Sequence, residues 1–244
     1  MSGVWLAIDT ATDIASVAAG RIPALIAGAH SQGARRHTAQ LLGLIEFVLR
    51  RAEVRPADLE GLVIGDGPGS FTGLRIGWAT AKGLAQEAGL DVRAIPSLMA
   101  AAAGASVRLG DAPVAACFDA LRGEVFGAVY RFHADRVEVL VTPAVGTIAE
   151  LARRAPEIPR AVVGDGAVKY AAEVRAWCGA DPVAPEQLPP SATQLLALAG
   201  REGAARIIDD VGAAEPAYGR SAEAQVKWEH RHGRALPDST GTER

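Results

Sequence analysis

The chain has 244 residues, of which 49% are hydrophobic and 22% are charged, and its formal net charge is -3. A chain of this length can bury roughly 70% of the surface that it exposes when unfolded, so one large or two small domains are expected rather than wholesale disorder. The slightly acidic balance argues against a self-sufficient nucleic-acid binder, since such proteins neutralise phosphates with clustered Lys and Arg.

The cysteines and the apolar runs indicate the cellular compartment in which the protein works. Cys117 and Cys178 lie far apart, with no C-x-x-C pair and no Cys/His cluster, so neither a zinc site nor a disulfide framework is predicted. The N-terminus has no basic segment followed by a long apolar run, and no apolar stretch reaches membrane-spanning length. We therefore expect a cytoplasmic protein that does not contact a membrane.

The first part of the chain predicts a β-hairpin, a third strand and a helix. An apolar run ends at Asp9 and Thr10, and a second strand returns after a polar turn. Apolar residues at helical spacing then follow a polar loop. The predicted elements are strands over residues 4–8, 14–19 and 24–29 and a helix over 38–52.

The stretch from Gly61 to Ala88, GLVIGDGPGSFTGLRIGWATAKGLAQEA, joins strand, loop and helix signals without a gap. A buried strand is predicted over 62–64, and glycines around Pro68 then break it. A helix is predicted to begin near Thr72, capped by Ser70 or Thr72. Free N–H groups at this point suit an anion, whereas a tight turn with close helix packing is the alternative. The spacing matches neither G-x-x-x-x-G-K-[ST] nor G-x-G-x-x-G.

One face of this predicted helix is made of small residues. They recur at every fourth position, and we call them the small-residue face: Gly73, Gly77, Ala81 and Ala85. Another helix could approach such a smooth surface closely. The face therefore favours a docking surface first and a phosphate cradle second.

The second half of the chain repeats two features of the first. FDALRGEVFGAVY, in which Asp119 ends an apolar strand, stands beside IDTATDIASVAA, in which Asp9 does the same. VVGDG at 162–166 then repeats VIGDG at 63–67. Two matches in the same order predict duplicated lobes, the second one shorter. The expected divisions are a first lobe over 1–106, a second lobe over 107–215 and a C-terminal segment with a loose tail over 216–244.

The remaining predicted elements complete these lobes. They are strands over 91–95, 114–118 and 124–131 and helices over 98–105, 147–154 and 191–206. The fold class is therefore α/β, with two duplicated ribonuclease H-like lobes whose mixed sheets are flanked by helices.

Proteins with this layout include actin-type ATPases and sugar kinases, which bind nucleotide between the lobes. Asp9, Thr10 and Asp119 would then lie near the cleft, as magnesium ligands or a catalytic base. The alternative is that each aspartate only ends its strand, since the turn over residues 10–13 has no glycine with which to wrap a phosphate. An ATPase or small-molecule kinase of the actin-like type therefore stays open.

Metal chemistry finds little support in the sequence. His37 stands just before the first predicted helix, no second histidine lies three to five residues away, and His30 is seven residues back across a loop. A metal-dependent hydrolase needs two or three ligands on a rigid element. No metal site is predicted, and a metallopeptidase is the weakest of the three alternatives.

Four motifs together resemble the TsaB (YeaZ) family: LAIDTATDIASVAA, LLGLIEFVL after a single histidine, GDGPGSFTGLRIGWATAKGLA, and FDALRGEVFGAVY. The late P-x-Y-x-R at 216–220 fits as well. The resemblance implies a two-lobed actin-like (ASKHA) fold that is not itself the catalyst. It implies a subunit that binds TsaD, the catalytic paralogue, and works with TsaE and with threonylcarbamoyl-AMP made by TsaC. The reaction served is N6-threonylcarbamoylation of adenosine 37 in tRNAs reading ANN codons.

The resemblance also implies roles for individual residues. No cofactor or metal belongs to this chain, ATP/ADP and Mg enter only at the assembled complex, the isolated chain forms a homodimer, and tRNA is contacted mainly through partners. The first predicted helix and the helix near Thr72 form the surface for self-association or for TsaD. The implied interface and loop residues are His37, Leu41, Gly65, Gly67, Pro68, Gly69, Ser70, Phe71, Thr72, Gly73, Arg75, Gly77 and Ala81.

Overall fold

The computed structural model describes residues 3–33, 37–189 and 191–219, with the side chains of 37–39 left aside. The elements of the first half are β1 Val4–Asp9, β2 Ile14–Arg21, β3 Ala24–Gln32, α1 His37–Arg51, β4 Leu59–Gly65, α2 Phe71–Ala88, β5 Asp91–Ile95 and α3 Ser97–Ser106. Those of the second half are β6 Val114–Asp119, β7 Val125–Phe132, β8 Val137–Gly146, α4 Ile148–Arg154, β9 Ala161–Val163, α5 Asp165–Lys169, α6 Ala171–Cys178, α7 Ser191–Leu198 and β10 Arg206–Ile207.

The strands form two sheets with the same internal order. The first sheet runs β10-β5-β4-β1-β2-β3 and the second runs β8-β7-β6-β9. In each, a hairpin pairs antiparallel (β1 with β2, β6 with β7), a third strand continues the meander, and after a helix a strand returns parallel to the first. The predicted fold, two duplicated ribonuclease H-like lobes of the actin-like type with mixed sheets flanked by helices, is confirmed.

The second lobe carries only a remnant of the strand that β5 supplies in the first. Val183 makes an isolated parallel bridge to Val163, on the edge of β9. Two backbone hydrogen bonds hold it there, from the Val183 amide to the Val162 carbonyl at 2.9 Å and from the Gly164 amide to the Val183 carbonyl at 3.3 Å. The shorter second lobe is thus missing most of one strand.

The two lobes exchange their inner helices. Helix α3, which ends the first half of the chain, packs on β6, β7 and β9 of the second sheet, whereas α7 packs on β1, β2 and β3 of the first. The two helices also contact each other. The largest cluster of buried side chains accordingly mixes both halves, joining Trp5 and Val63 to Tyr130 and Leu195. Each sheet therefore depends on the other half of the chain to cover its inner face.

The chain returns to the first sheet near its end. The helix predicted over 191–206 is wrong in length, because α7 ends at Leu198 and the backbone turns at Gly203, whose φ is +74°. β10 then pairs antiparallel with β5, Arg206 opposite Ala94. The predicted second lobe of 107–215 thus contains two elements that pack on the first sheet.

The outer faces of the sheets carry separate cores. Helices α1 and α2 cover the first sheet with residues such as Leu41, Val48 and Trp78, and α4 to α6 cover the second. Across the described ranges, no helix is both long and apolar enough to cross a membrane.

Candidate functional site

Helix α2 has a defined beginning and end. The Ser70 hydroxyl accepts a hydrogen bond from the Gly73 amide at 3.2 Å, so of the two predicted caps it is Ser70 that serves. At the other end Gly89 takes a left-handed conformation with φ +63°, and its amide bonds to the Ala85 carbonyl. Both caps satisfy backbone groups that a helix otherwise leaves free, and they fix the helix against the first sheet.

The small-residue face of α2 points into the chain. The Thr10 hydroxyl donates a hydrogen bond to the Gly73 carbonyl at 2.7 Å. A Cβ atom at Gly73 would overlap the Thr10 carbonyl, and one at Gly77 would overlap the Thr10 hydroxyl. Ala81 and Ala85 are buried in the same outer core. The prediction that Gly73, Gly77 and Ala81 form the docking face is therefore corrected, because Thr10 covers the face at Gly73 and Gly77 and Ala81 is buried in the outer core.

The glycine loop between β4 and α2 is closed by the same turn. The Ser70 amide donates to the Ala11 carbonyl at 2.7 Å, and a Cβ at Gly69 would overlap that carbonyl. The Gly67 amide donates to the Ser97 hydroxyl at 3.2 Å. These amides already have hydrogen-bond acceptors, and Pro68 has no backbone N–H to donate. The geometry therefore favours tight packing over an open anion cradle.

The C-terminal part of the described chain also covers this loop. The Ala217 amide bonds to the Asp66 carbonyl at 2.8 Å, and the Tyr218 ring lies 4.7 Å from the Phe71 ring, centroid to centroid. Gly219 lies against Pro68 and against Phe126 of β7. The segment therefore ties the loop to the second lobe. Residues 220–244 of the predicted C-terminal segment and loose tail lie outside the described residues.

The opposite side of α2 forms, with α1, an open groove of about 570 Å³. Phe71 and Leu42 are 43% and 64% exposed, although both are large and apolar. Arg75 is the single charged residue among the described residues that line the groove, and its guanidinium carbon lies 5.4 Å from the Phe71 ring centroid. The full lining is Leu41, Leu42, Phe71, Thr72, Arg75, Ile76, Ala79 and Thr80. We call this surface the α1–α2 groove.

The predicted interface residues thus separate into two sets. Phe71, Thr72 and Arg75 line the groove, and Leu41 forms its floor because it is almost fully buried. The glycines at 65, 67, 69, 73 and 77 instead pack inside the chain. The side chain of His37, at the first position of α1, lies outside what the structure describes.

Asp9, at the end of β1, is 3% exposed. Its Oδ1 atom accepts hydrogen bonds from the Ala11 amide at 3.0 Å and from the Ser97 hydroxyl at 3.1 Å. Burial raises the pKa of this carboxyl above its ordinary value, and the hydrogen bonds oppose that rise only in part. Thr10 lies beside it, with its hydroxyl committed to α2.

Asp119, at the corresponding end of β6, has a different environment. Lys169 of α5 donates to its Oδ2 atom at 2.7 Å, and the Leu121 amide donates to its Oδ1 atom at 3.0 Å. Both carboxylate oxygens therefore have donors from the chain itself. Of the two predicted cleft aspartates, one is neutralised by an internal cation and the other is held only by dipoles.

The environment of Asp9 predicts a pH-dependent stability. Because the folded chain binds the Asp9 proton more tightly than the unfolded chain does, the contribution of Asp9 to stability is largest below its ordinary pKa of 3.8 and is lost as the pH rises through its folded pKa. Relative to Asp9→Asn, the wild type should lose at most about 1.4 kcal/mol of unfolding free energy per pH unit. Urea unfolding of both proteins between acidic and neutral pH measures this. A difference that stays constant, or that grows in favour of the wild type with rising pH, contradicts it.

Other site residues were not foreseen. Ser97 bridges Asp9 and the glycine loop, and Arg206 bonds the Asp66 carboxylate at 3.0 Å. Burial raises the pKa of Asp66, and Arg206 opposes that rise. The repeated GDG motif aligns Asp66 with Asp165 of the second lobe. No feature of the sequence near Asp66 indicates that its partner is Arg206, 140 residues further along the chain.

Metal binding finds no cluster in the described part of the chain, where no group of three or more His, Cys, Asp or Glu residues lies together. That no metal belongs to this chain stays a prediction.

Comparison with known proteins identifies the family. The family model "TsaD: tRNA N6-adenosine threonylcarbamoyltransferase" matches residues 27–176, more than half of the chain. The tRNA threonylcarbamoyladenosine biosynthesis protein TsaB of Bacillus subtilis is 30% identical over 228 residues, covering 91% of this chain and 96% of that protein. The chain belongs to the TsaB (YeaZ) family.

Other members of the TsaB family agree. Escherichia coli TsaB is 37% identical over 147 residues, which are 57% of this chain and 63% of that protein, so this alignment spans less than two thirds of its length. The structure of YeaZ from Pseudomonas aeruginosa superposes with a TM-score of 0.69 at 29% identity, covering 81% of this chain and 91% of that one. The resemblance inferred from the motifs is confirmed.

Proposed function

We propose that this chain is a non-catalytic assembly subunit that supports TsaD in N6-threonylcarbamoylation of adenosine 37 of tRNAs reading ANN codons. Its relatives in Escherichia coli and Bacillus subtilis carry the name tRNA threonylcarbamoyladenosine biosynthesis protein TsaB. The observation that carries the assembly role is the α1–α2 groove, because an exposed apolar surface of this kind marks a binding site rather than an ordinary solvent-exposed surface.

The groove has the make-up of a protein interface. Leu42 and Phe71 offer exposed apolar side chains, Ala79 adds a small exposed side chain to the lining, and Arg75 adds one charge. Interfaces are typically built on such apolar and aromatic anchors with arginine nearby. We therefore expect TsaD to present an apolar helix face with an acidic side chain opposite Arg75.

The remaining partners follow from the same assignment. TsaE acts in the assembled complex. TsaC supplies the activated threonylcarbamoyl group, so TsaC is linked to this chain by function rather than by direct contact. The same groove pairs two copies when the chain is alone. ATP/ADP and Mg act at the assembled complex, tRNA is held mainly by partners because the net charge is -3, and the protein works in the cytoplasm.

The groove is tested by placing a charge in it without touching the core. Ala79 is exposed on α2, so Ala79→Glu should leave the chain folded. A glutamate at position 79 would add a carboxylate to the docking surface and compete for Arg75 one helical turn away, so it should weaken TsaD binding by about 100-fold. Titration calorimetry of each variant with purified TsaD, with thermal unfolding of the isolated variant alongside, measures both effects.

Ala149→Glu is the matched control, since Ala149 is exposed on α4 of the second lobe and the same substitution there should not alter TsaD binding. An Ala79→Glu variant that binds TsaD as tightly as the wild type contradicts the proposed docking surface.

The alternative is an actin-like ATPase or small-molecule kinase, which the two lobes and their cleft favour. The pairing of Asp119 with Lys169 opposes it, because a carboxylate already bound by an internal cation is a poor magnesium ligand. Calorimetry with Mg-ATP on the isolated chain distinguishes the two proposed functions. Micromolar binding with turnover supports the alternative, and heat no different from dilution supports the assembly role.

A further inference from the structure

A cavity of about 320 Å³ lies between the lobes and shares no lining residue with the α1–α2 groove. Its walls come from the ends of β1 to β3, from the ends of β6 and β9, and from the segment just before α7. Clefts of this size between lobes are typical small-molecule sites. The volume suits a compact ligand rather than a dinucleotide.

The charge of the lining is acidic. Asp9 lies at the inner wall and Glu186, which is exposed, lies in the segment before α7. His30 is the other titratable group there, and none of the described lining residues is a Lys or Arg. Such a cavity repels phosphates and carboxylates and attracts a cation.

Asp9 differs from Asp66, which follows β4, and from Asp119, which ends β6. Asp66 is bonded by Arg206 at 3.0 Å and Asp119 by Lys169 at 2.7 Å. Among the described residues, the groups that hydrogen-bond the Asp9 carboxylate are the Ala11 and Thr10 amides and the Ser97 and Ser191 hydroxyls, and none of them is a cation. A buried carboxylate without a counter-charge is costly, so a positively charged ligand group would be stabilised beside it.

Other lining groups fit the rest of such a ligand. Phe118, Ile14 and Leu188 supply an apolar wall for a short aliphatic body.

We propose that the interlobe cavity binds a small primary ammonium compound, with the cationic head at Asp9 and Glu186 and an aliphatic body against Phe118. The site takes a cation where the actin-like layout would suggest phosphates. It is independent of docking at the α1–α2 groove.

Two-dimensional NMR of the full chain, titrated with propylammonium at constant ionic strength, tests this site. Saturable shifts of the amides of Thr12, Phe118 and Ser191 are expected, and 1-propanol, which has a similar shape and no charge, should not produce them. Glu186→Gln, at an exposed position, should raise the Kd for propylammonium by about fivefold. Glu173→Gln, exposed on α6 outside the cavity, is the matched control and should leave the Kd unchanged.

Four outcomes overturn the proposal. They are no saturable shift at about 100 mM propylammonium, equal shifts with 1-propanol, an unchanged Kd in Glu186→Gln, and saturable binding of inorganic phosphate at the same amides. None of these results bears on TsaD binding through the groove.

Discussion

Replacing Gly73 by alanine is expected to lower the free energy of unfolding by about 3 kcal/mol, because the added methyl group overlaps the Thr10 carbonyl. A backbone carbonyl cannot turn away as a side chain can, so either α2 or the turn after β1 must shift. That shift would also weaken the hydrogen bond from the Thr10 hydroxyl to the Gly73 carbonyl. Chemical denaturation followed by circular dichroism measures the loss.

Gly83 provides the matched control on the same helix. A Cβ there meets nothing within 4 Å, so Gly83→Ala should raise the free energy of unfolding by up to about 1 kcal/mol through helix propensity alone. Equal stabilities for the two alanine variants would show that the small-residue face is not packed inside the chain.

A fragment of residues 1–112, cut between α3 and β6, is expected not to fold by itself. It would keep most of the first sheet but lose α7, whose Leu195 and Leu196 cover the inner face, and it would expose the side of α3 that packs on the second sheet. The expected loss is the whole cooperative transition, since the largest cluster of buried side chains spans both halves. The fragment should show no sigmoidal thermal unfolding and poor dispersion of its NMR signals.

Adding residues 113–244 in trans is the control for this fragment, because it restores α7 and the second sheet and should recover cooperative unfolding. A fragment that unfolds cooperatively without its complement contradicts the exchange of inner helices.

Much of the fold could be predicted because local and repeated signals agreed. β5 was predicted at its observed bounds, and the Asp9 and Asp119 hairpins were recognised as copies. The strand β8 was not predicted, since it contains Pro143, lies at a sheet edge and shifts register against β7. These features break the alternation by which a strand is read from sequence.

The candidate site was predicted less completely, since its contacts are distant in sequence. The period of four in α2 correctly indicated a smooth face, but a period cannot say whether that face meets the same chain or another. The answer lies in Thr10, 63 residues from Gly73. The pairing of Asp119 with Lys169 likewise depends on how α5 follows β9.

The docking role of the α1–α2 groove is tested most directly in tRNA modification reconstituted with fixed amounts of TsaC, TsaD and TsaE. We expect formation of threonylcarbamoyladenosine to require this chain, to proceed at the wild-type rate with Ala149→Glu, and to fall with Ala79→Glu to the rate measured without the chain. A wild-type rate with Ala79→Glu would contradict the assignment of this groove as the surface that supports TsaD.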